Sequence, residues 1–379
     1  MKKIIYISLV ISLICFGVSI PAFAAEKSQL EISAPSAILM DYSSGQIIYE
    51  KNPDEKLPLA SVTKIMTMLL AMEEIDAGRM NYDDIITASA HAKSYGGSTI
   101  FLDEGEQMIV RDILKGIAVA SGNDAAVAMG EHISGTEELF VERMNKRAQE
   151  LGMKNTHFIN CNGLDADGHY STARDIAIMS RELMHHKDIF EYTSIWMDSL
   201  RNGEFTLSNT NKLVRFYNGC TGLKTGSTSK AKFCISATAK RENMHLIAVI
   251  MAAETSKQRQ ADASSLLNYG FSTYSVDNVI KKDTQIAKVK IAKSSVSSVD
   301  VVTSSDFSYL HKKTEDAKIE TIKKIKKAKA PVKKGEKAGS LSVIINGKET
   351  QKIKLVYASD APKAGYAFVL KNMLVDFIS

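Results

Sequence analysis

Two short runs of β-prone residues, 36–40 and 46–50, flank Ser43-Ser44-Gly45 and predict a hairpin. The period then changes. Val62, Ile65, Met66, Leu69 and Leu70 recur at helical spacing, with Pro58 ahead of them and Gly78 behind, which predicts a helix over 60–77. Further helices are predicted over 110–120, 124–133, 137–151 and 172–185. Strand patterns return over 222–226, 233–239 and 246–252, with Arg241-Glu242-Asn243 as a turn, and a helix follows over 257–269. Strands, helices, strands, helix is the order of an α+β domain: a mainly antiparallel sheet made from both ends of the domain, with a helical subdomain inserted.

Near Asp277 the composition shifts to alternating short runs of Val, Ile, Lys and Ser, with Asn346-Gly347 as a hairpin signal. This predicts a small all-β domain. Residues 281–354 hold 19 Lys, no Arg and 8 acidic residues, so the rest of the 379-residue chain is mildly acidic although the whole carries +5. Two modules with different surroundings follow from that asymmetry. Without Arg, and with few aromatics to stack on bases, the basic part is a poor nucleic-acid binder, and no nucleic-acid partner is expected.

The N-terminus has a basic start at Lys2 and Lys3, an apolar run over 4–20 and the small-x-small site Ala22-Phe23-Ala24, the pattern of a cleaved secretory signal. Its removal leaves Cys161, Cys220 and Cys234, an odd number that excludes a complete disulfide framework. Cys220 and Cys234 either face each other on adjacent strands and pair, or stay separate reduced core thiols. The eight His form no ligand pattern, so neither a metal nor a cofactor is expected. The resulting division is a signal segment over 1–24, a catalytic domain over 25–277, a β domain over 278–360 and a tail over 361–379.

Three short motifs carry the chemistry: Ser61-Val62-Thr63-Lys64, Ser121-Gly122-Asn123 and Lys224-Thr225-Gly226. A serine hydroxyl needs a base before it attacks. One helical turn puts Lys64 beside Ser61, and burial, a second lysine at Lys224 and a helix N-terminus would keep Lys64 neutral enough to be that base. Ser121 and Asn123 stand at a helix entry, where the alternative role is a plain N-cap. In the functional reading Ser121 relays a proton to the leaving amine and the Asn123 amide holds the substrate peptide. Lys224 and Thr225 offer a charge and a hydroxyl to a carboxylate. Gly226 clears room for a substrate strand, and the backbone N–H groups of Ser61 and Ser227 are the expected oxyanion hole. Ser229 and Lys232 repeat the first spacing and are read as coincidence.

Order and spacing of the three motifs are those of class A β-lactamases and penicillin-binding proteins. With the segment from Leu57 to Thr67, then Asn162-Gly163-Leu164 and the run from His169 to Asp175, the chain resembles the low-molecular-mass penicillin-binding proteins, the serine D-Ala-D-Ala carboxypeptidases, from about residue 30 to its end. The resemblance implies a penicillin-recognising fold, peptidoglycan stem peptides as substrate, β-lactams as inhibitors, and Arg259 near the substrate carboxylate. Many relatives carry an acid where this chain has Thr221, which changes the local hydrogen bonding.

Competing readings are weaker. A class A β-lactamase deacylates with a glutamate and its water, and no E-x-x-L-N segment lies between the second and third motifs. An idle wall-binding protein of the same fold has no use for Lys64 beside Ser61. Carboxypeptidase and endopeptidase share these residues and differ in cleft depth, for which the loop from Tyr95 to Thr99 is the candidate determinant. In the tail, apolar Phe368, Val369, Leu370, Met373, Leu374, Val375, Phe377 and Ile378 leave one polar stripe at Asn372, Asp376 and Ser379. The segment is too short to span a bilayer. It either packs on the β domain or lies in the membrane interface; the resemblance favours a membrane anchor, and with it a place at the outer face of the bacterial cytoplasmic membrane or in the cell wall.

Overall fold

The computed structural model describes residues 30–366 and 368. The predicted signal segment over 1–24 and the tail from 369 lie outside the described residues. Among the described residues no helix is long and apolar enough to cross a membrane.

The hairpin forms as expected, β1 (Ser36–Asp41) against β2 (Ile47–Lys51). Three later strands join it: β3 (Cys220–Thr228), β4 (Lys232–Arg241) and β5 (Met244–Ala253). The sheet runs β2-β1-β5-β4-β3, every pair antiparallel, so the third motif lies on an edge strand. β5 is buried almost throughout because both faces are covered. Its alternation sorts the two faces. Ile247, Val249 and Met251 join the helical core, whereas Leu246 lies against Gly270 of the last helix of this region, Ser256–Thr273.

The helical insert lies between β2 and β3. Its spine is α1 (Lys64–Asp76), in which every residue from Lys64 to Met72 is buried. A helix apolar all round belongs in the middle of a domain. The amphipathic spacing understated this, since it assigned only one face to the core.

Two boundaries differ from the sequence reading, and both matter to the site. The first helix does not begin as an α-helix: Ala60–Thr63 is a 3-10 turn, entered through Ala60 at φ +48. The helix predicted over 110–120 is α-helical only over Val110–Lys115 and then widens into a π turn, Gly116–Ala120, which delivers Ser121 in the left-handed region at φ +64. Such widened turns favour functional sites. Gly122 is the N-cap of α2 (Asn123–Ser134), with no side-chain cap, so the plain-cap role weighed for Ser121 and Asn123 does not apply.

From Tyr274 to Tyr357 the elements are all strands. One pair, Tyr274–Ile280 with Phe307–Lys312, stands beside a six-stranded sheet. The Asn346-Gly347 turn joins Lys337–Ile345 to Lys348–Tyr357, with both turn residues at positive φ, as the tight hairpin requires. This sheet has its own apolar core around Val301, Leu341, Val343 and Leu355.

The alternative in which Cys220 and Cys234 face each other is overturned by register. Cys220 lies opposite Ala239 and Cys234 opposite Gly226, and all three described cysteines are free thiols.

Candidate active site

Ser61 sits on the 3-10 turn and Lys64 closes it. At three residues per turn, positions i and i+3 eclipse, which brings the Lys64 Nζ to 3.1 Å from Ser61 Oγ. This alignment is tighter than the α-helical one expected. Thr63 staples the turn, donating to the Ala60 carbonyl at 2.8 Å and meeting His169 Nε2 at 2.8 Å.

Lys64 is wholly buried, and its Nζ has two further partners, Asn123 Oδ1 and the Asn162 carbonyl, each at 2.6 Å. Both can only accept, so they occupy two N–H groups. The third tetrahedral position faces Ser61. In the neutral amine that position is the lone pair. Burial draws the Lys64 pKa down from 10.5 to about 7, against the pull of Cys161 and Asp124 in the other direction. Lys224 is also buried and is held well below its ordinary range by burial first, then by repulsion from Lys64 and Arg259. Two buried ammonium groups this close cannot both keep their protons cheaply.

β3 lies directly against the Ser61 turn. A Cβ on Gly226 would meet Ser61 N at 2.7 Å, Leu59 O at 2.9 Å and Val62 N at 2.9 Å. The glycine is therefore needed for the strand to touch the nucleophile turn, a reason different from the substrate clearance expected of it. Gly163 does the same from the other side: its Cβ would fall 1.9 Å from Ala60 O. Thr225 Oγ1 donates to Thr210 Oγ1 at 2.7 Å, and the Lys224 Nζ donates to the Thr225 carbonyl at 2.9 Å. Ser227 is exposed one residue beyond Gly226.

Arg259 is buried beneath this strand, its guanidinium 3.4 Å from the carbonyls of Gly226 and Cys234, with a buried Nε that has no partner among the described residues. Burial brings its pKa to about 10, so it remains a cation at neutral pH. Asn123 is held at both ends, by Lys64 at Oδ1 and by a 2.7 Å bond from Nδ2 to the Gly96 carbonyl, which ties the Tyr95–Thr99 loop to the site and leaves one N–H free. The repeated spacing at Ser229 and Lys232 falls on the β3–β4 turn, where Lys232 pairs with Glu254. Thr221 bonds Thr238 Oγ1 at 2.7 Å and His245 Nε2 at 2.8 Å, so the departure noted there is absorbed by a neutral network.

Three contributors escaped the sequence reading, and a fourth, Asn162, entered it only as part of the resemblance. Asn162 acts through its backbone carbonyl, which no side-chain pattern signals. Thr210 reaches Thr225 from a connecting segment. Asp124 anchors the backbone of Ile100 and Leu102. Buried Glu137 accepts from Tyr95 Oη, His91 Nε2 and the Cys161 N–H, clamping the loop near Gly96.

The fold and the surroundings of Ser61 define a serine acyl-transfer enzyme with a penicillin-recognising domain. The family described as D-alanyl-D-alanine carboxypeptidase matches residues 23–255, and the chain belongs to it. The description "Penicillin-binding protein 5, C-terminal domain" matches residues 274–363. D-alanyl-D-alanine carboxypeptidase DacF of Bacillus subtilis is 43% identical, over 100% of this chain and 99% of that one. DacC of Escherichia coli is 32% identical, over 91% and 89%. Among solved structures, penicillin-binding protein 5 from Haemophilus influenzae superposes with a TM-score of 0.72 at 31% identity, covering 88% of this chain and 98% of that one.

Proposed function

We propose that the protein hydrolyses the terminal D-Ala-D-Ala bond of peptidoglycan stem peptides through an acyl-enzyme on Ser61. Neutral Lys64 takes the Ser61 proton as Oγ attacks the carbonyl carbon. The N–H groups of Ser61 and Ser227 receive the oxyanion. Collapse expels D-alanine, whose amine takes the proton from Lys64 by way of Ser121. Water then attacks the ester, with Lys64 again the base, and frees the shortened peptide. Lys224, Thr225 and Arg259 bind the free carboxylate of the substrate, and the spare Asn123 N–H takes a peptide carbonyl. The observation that carries this reading is the Lys64 Nζ, buried, fixed by two acceptors and 3.1 Å from Ser61 Oγ. β-Lactams, which mimic the substrate, trap the same serine as a slow ester.

The substrate lies outside the cytoplasmic membrane. That fits export through 1–24, a catalytic domain over 25–277, a β domain over 278–360, and a tail over 361–379 whose apolar face enters the membrane interface. Removing 361–379 should abolish flotation with anionic vesicles while leaving turnover unchanged; equal flotation of both chains overturns the anchor.

The direct test of the reaction is a stem pentapeptide incubated with the full chain and weighed. Loss of one D-alanine is expected. Ser61→Ala should give neither product nor a penicillin adduct, and an adduct mapped to any other residue overturns the assignment.

A further inference from the structure

Outside the active site, a basic cavity of about 680 Å³ lies where the end of the sheet meets the β region. Lys187, Lys240, Lys281 and Lys282 line it, and Asp306 is the one carboxylate in its wall. One oxygen of Asp306 is already engaged, accepting the Lys282 backbone N–H at 2.7 Å. Lysines elsewhere pair with carboxylates, as Lys115 does with Asp198 and Lys230 with Asp167. None of the four cavity lysines has such a partner among the described residues.

The wall is built rather than incidental. The Lys187 Nζ donates to Tyr42 Oη at 2.5 Å and to the Met184 carbonyl at 3.1 Å, and lies 4.3 Å from the Tyr42 ring centre. His245 is buried at the cavity with its Nε2 engaged by Thr221. Burial and the charges of Lys187 and Lys240 push it down to about 3, so it stays neutral, and the positive field reaches the cavity floor. His185, also in the wall, shares a 3.1 Å hydrogen bond with Tyr42 Oη.

The cavity is separate from the acyl-transfer site. Lys240 lies six residues along β4 from Cys234, which is opposite Gly226; at about 3.3 Å per residue that is roughly 20 Å from the Ser61 turn.

We infer that this cavity binds a phosphate group carried on a small ester or a lipid headgroup. Ammonium groups act as point charges and suit a compact anion of more than one charge, whereas recognition of a planar carboxylate favours the fork of an arginine, and no arginine lines the cavity. Tyr42 and Ile280 supply apolar wall for whatever the phosphate is attached to.

The test is calorimetric titration of the full chain with inorganic phosphate and with glycerol 3-phosphate at low salt, repeated with K240E/K282E. Saturable binding that weakens at least tenfold in K240E/K282E is expected. An unchanged melting temperature and unchanged D-alanine release show that fold and active site survive. The neutral pair K240Q/K282Q should lose less, which separates lost attraction from introduced repulsion. Vesicles of phosphatidylglycerol distinguish the sources. A fall in vesicle binding in K240E/K282E assigns the phosphate to a headgroup; loss of soluble phosphate binding alone assigns it to a free ester. Absence of saturable phosphate binding, equal affinity in both chains, or equally tight binding of acetate and citrate overturns the inference.

Discussion

Gly226→Ala tests how closely the edge strand and the nucleophile turn depend on each other. The new Cβ would sit 2.7 Å from Ser61 N and 2.9 Å from both Leu59 O and Val62 N. All three are backbone atoms, so no side chain can rotate away. Restoring an ordinary contact of about 3.4 Å needs a shift of roughly 0.7 Å, shared between β3 and the turn. Catalytic groups tolerate misplacement of only about 0.5 Å, and an error near 1 Å costs on the order of 10²-fold. The shift falls on Ser61 N, a proposed oxyanion donor, so the second-order rate of acylation by a fluorescent penicillin should fall about 100-fold. Overpacking should remove about 1–3 kcal/mol of stability. The comparison is Gly270→Ala, whose Cβ would meet Leu246 Cδ1 at 2.5 Å and Leu39 Cδ2 at 3.1 Å, both ends of rotatable side chains. Alanine also suits a helix better than glycine, by about 1 kcal/mol. This variant should acylate at nearly the parent rate. If Gly226→Ala acylates within about threefold of the parent at an unchanged melting temperature, the backbone contact is not what positions Ser61.

The acylation rate should rise tenfold per pH unit below about 7 and level off above it, because only neutral Lys64 accepts the Ser61 proton; a flat rate between pH 5 and 9 rules out Lys64 as the base. The same group makes stability rise with pH between about 7 and 10.5, since the unfolded chain binds the extra proton across that window. Amidating the substrate terminus removes a charge-assisted contact of about 1.5–3 kcal/mol and should lower kcat/KM about 10–200-fold, whereas equal turnover of acid and amide would remove the carboxylate role from Lys224, Thr225 and Arg259. Cys161 and Cys234 should resist alkylation in the native chain and react fully once it is denatured, each as a free thiol; any linked peptide in a non-reducing digest would contradict the strand register.

The reactive side chains were legible because their chemistry fixes residue type and spacing, as in Ser61 with Lys64 and Lys224 with Thr225. What surrounds them was not. The Asn162 carbonyl belongs to every residue type, and Glu137 and Asp124 look like ordinary solvated acids until packing buries them. The Gly116–Ala120 stretch reads as plain helix, since a widened turn depends on where Ser121 must arrive rather than on any residue within it. The hairpins followed from turn residues and alternation, whereas the order of the strands across the sheet came only with the structure. The burial of α1 on every side did not, because periodicity reports one face at a time.

That all-round burial has a consequence for how the enzyme fails. Ser61 and Lys64 sit at the head of a helix whose first nine residues are covered, clasped by β3 on one side and by the Gly163 loop on the other. Regions with few buried contacts open locally at little cost, and this one has none of that character. The catalytic turn has no private route to disorder: it can come apart only when the domain does. Heat inactivation and loss of tertiary structure should therefore follow a single curve, and penicillin binding reports the folded fraction of the whole domain.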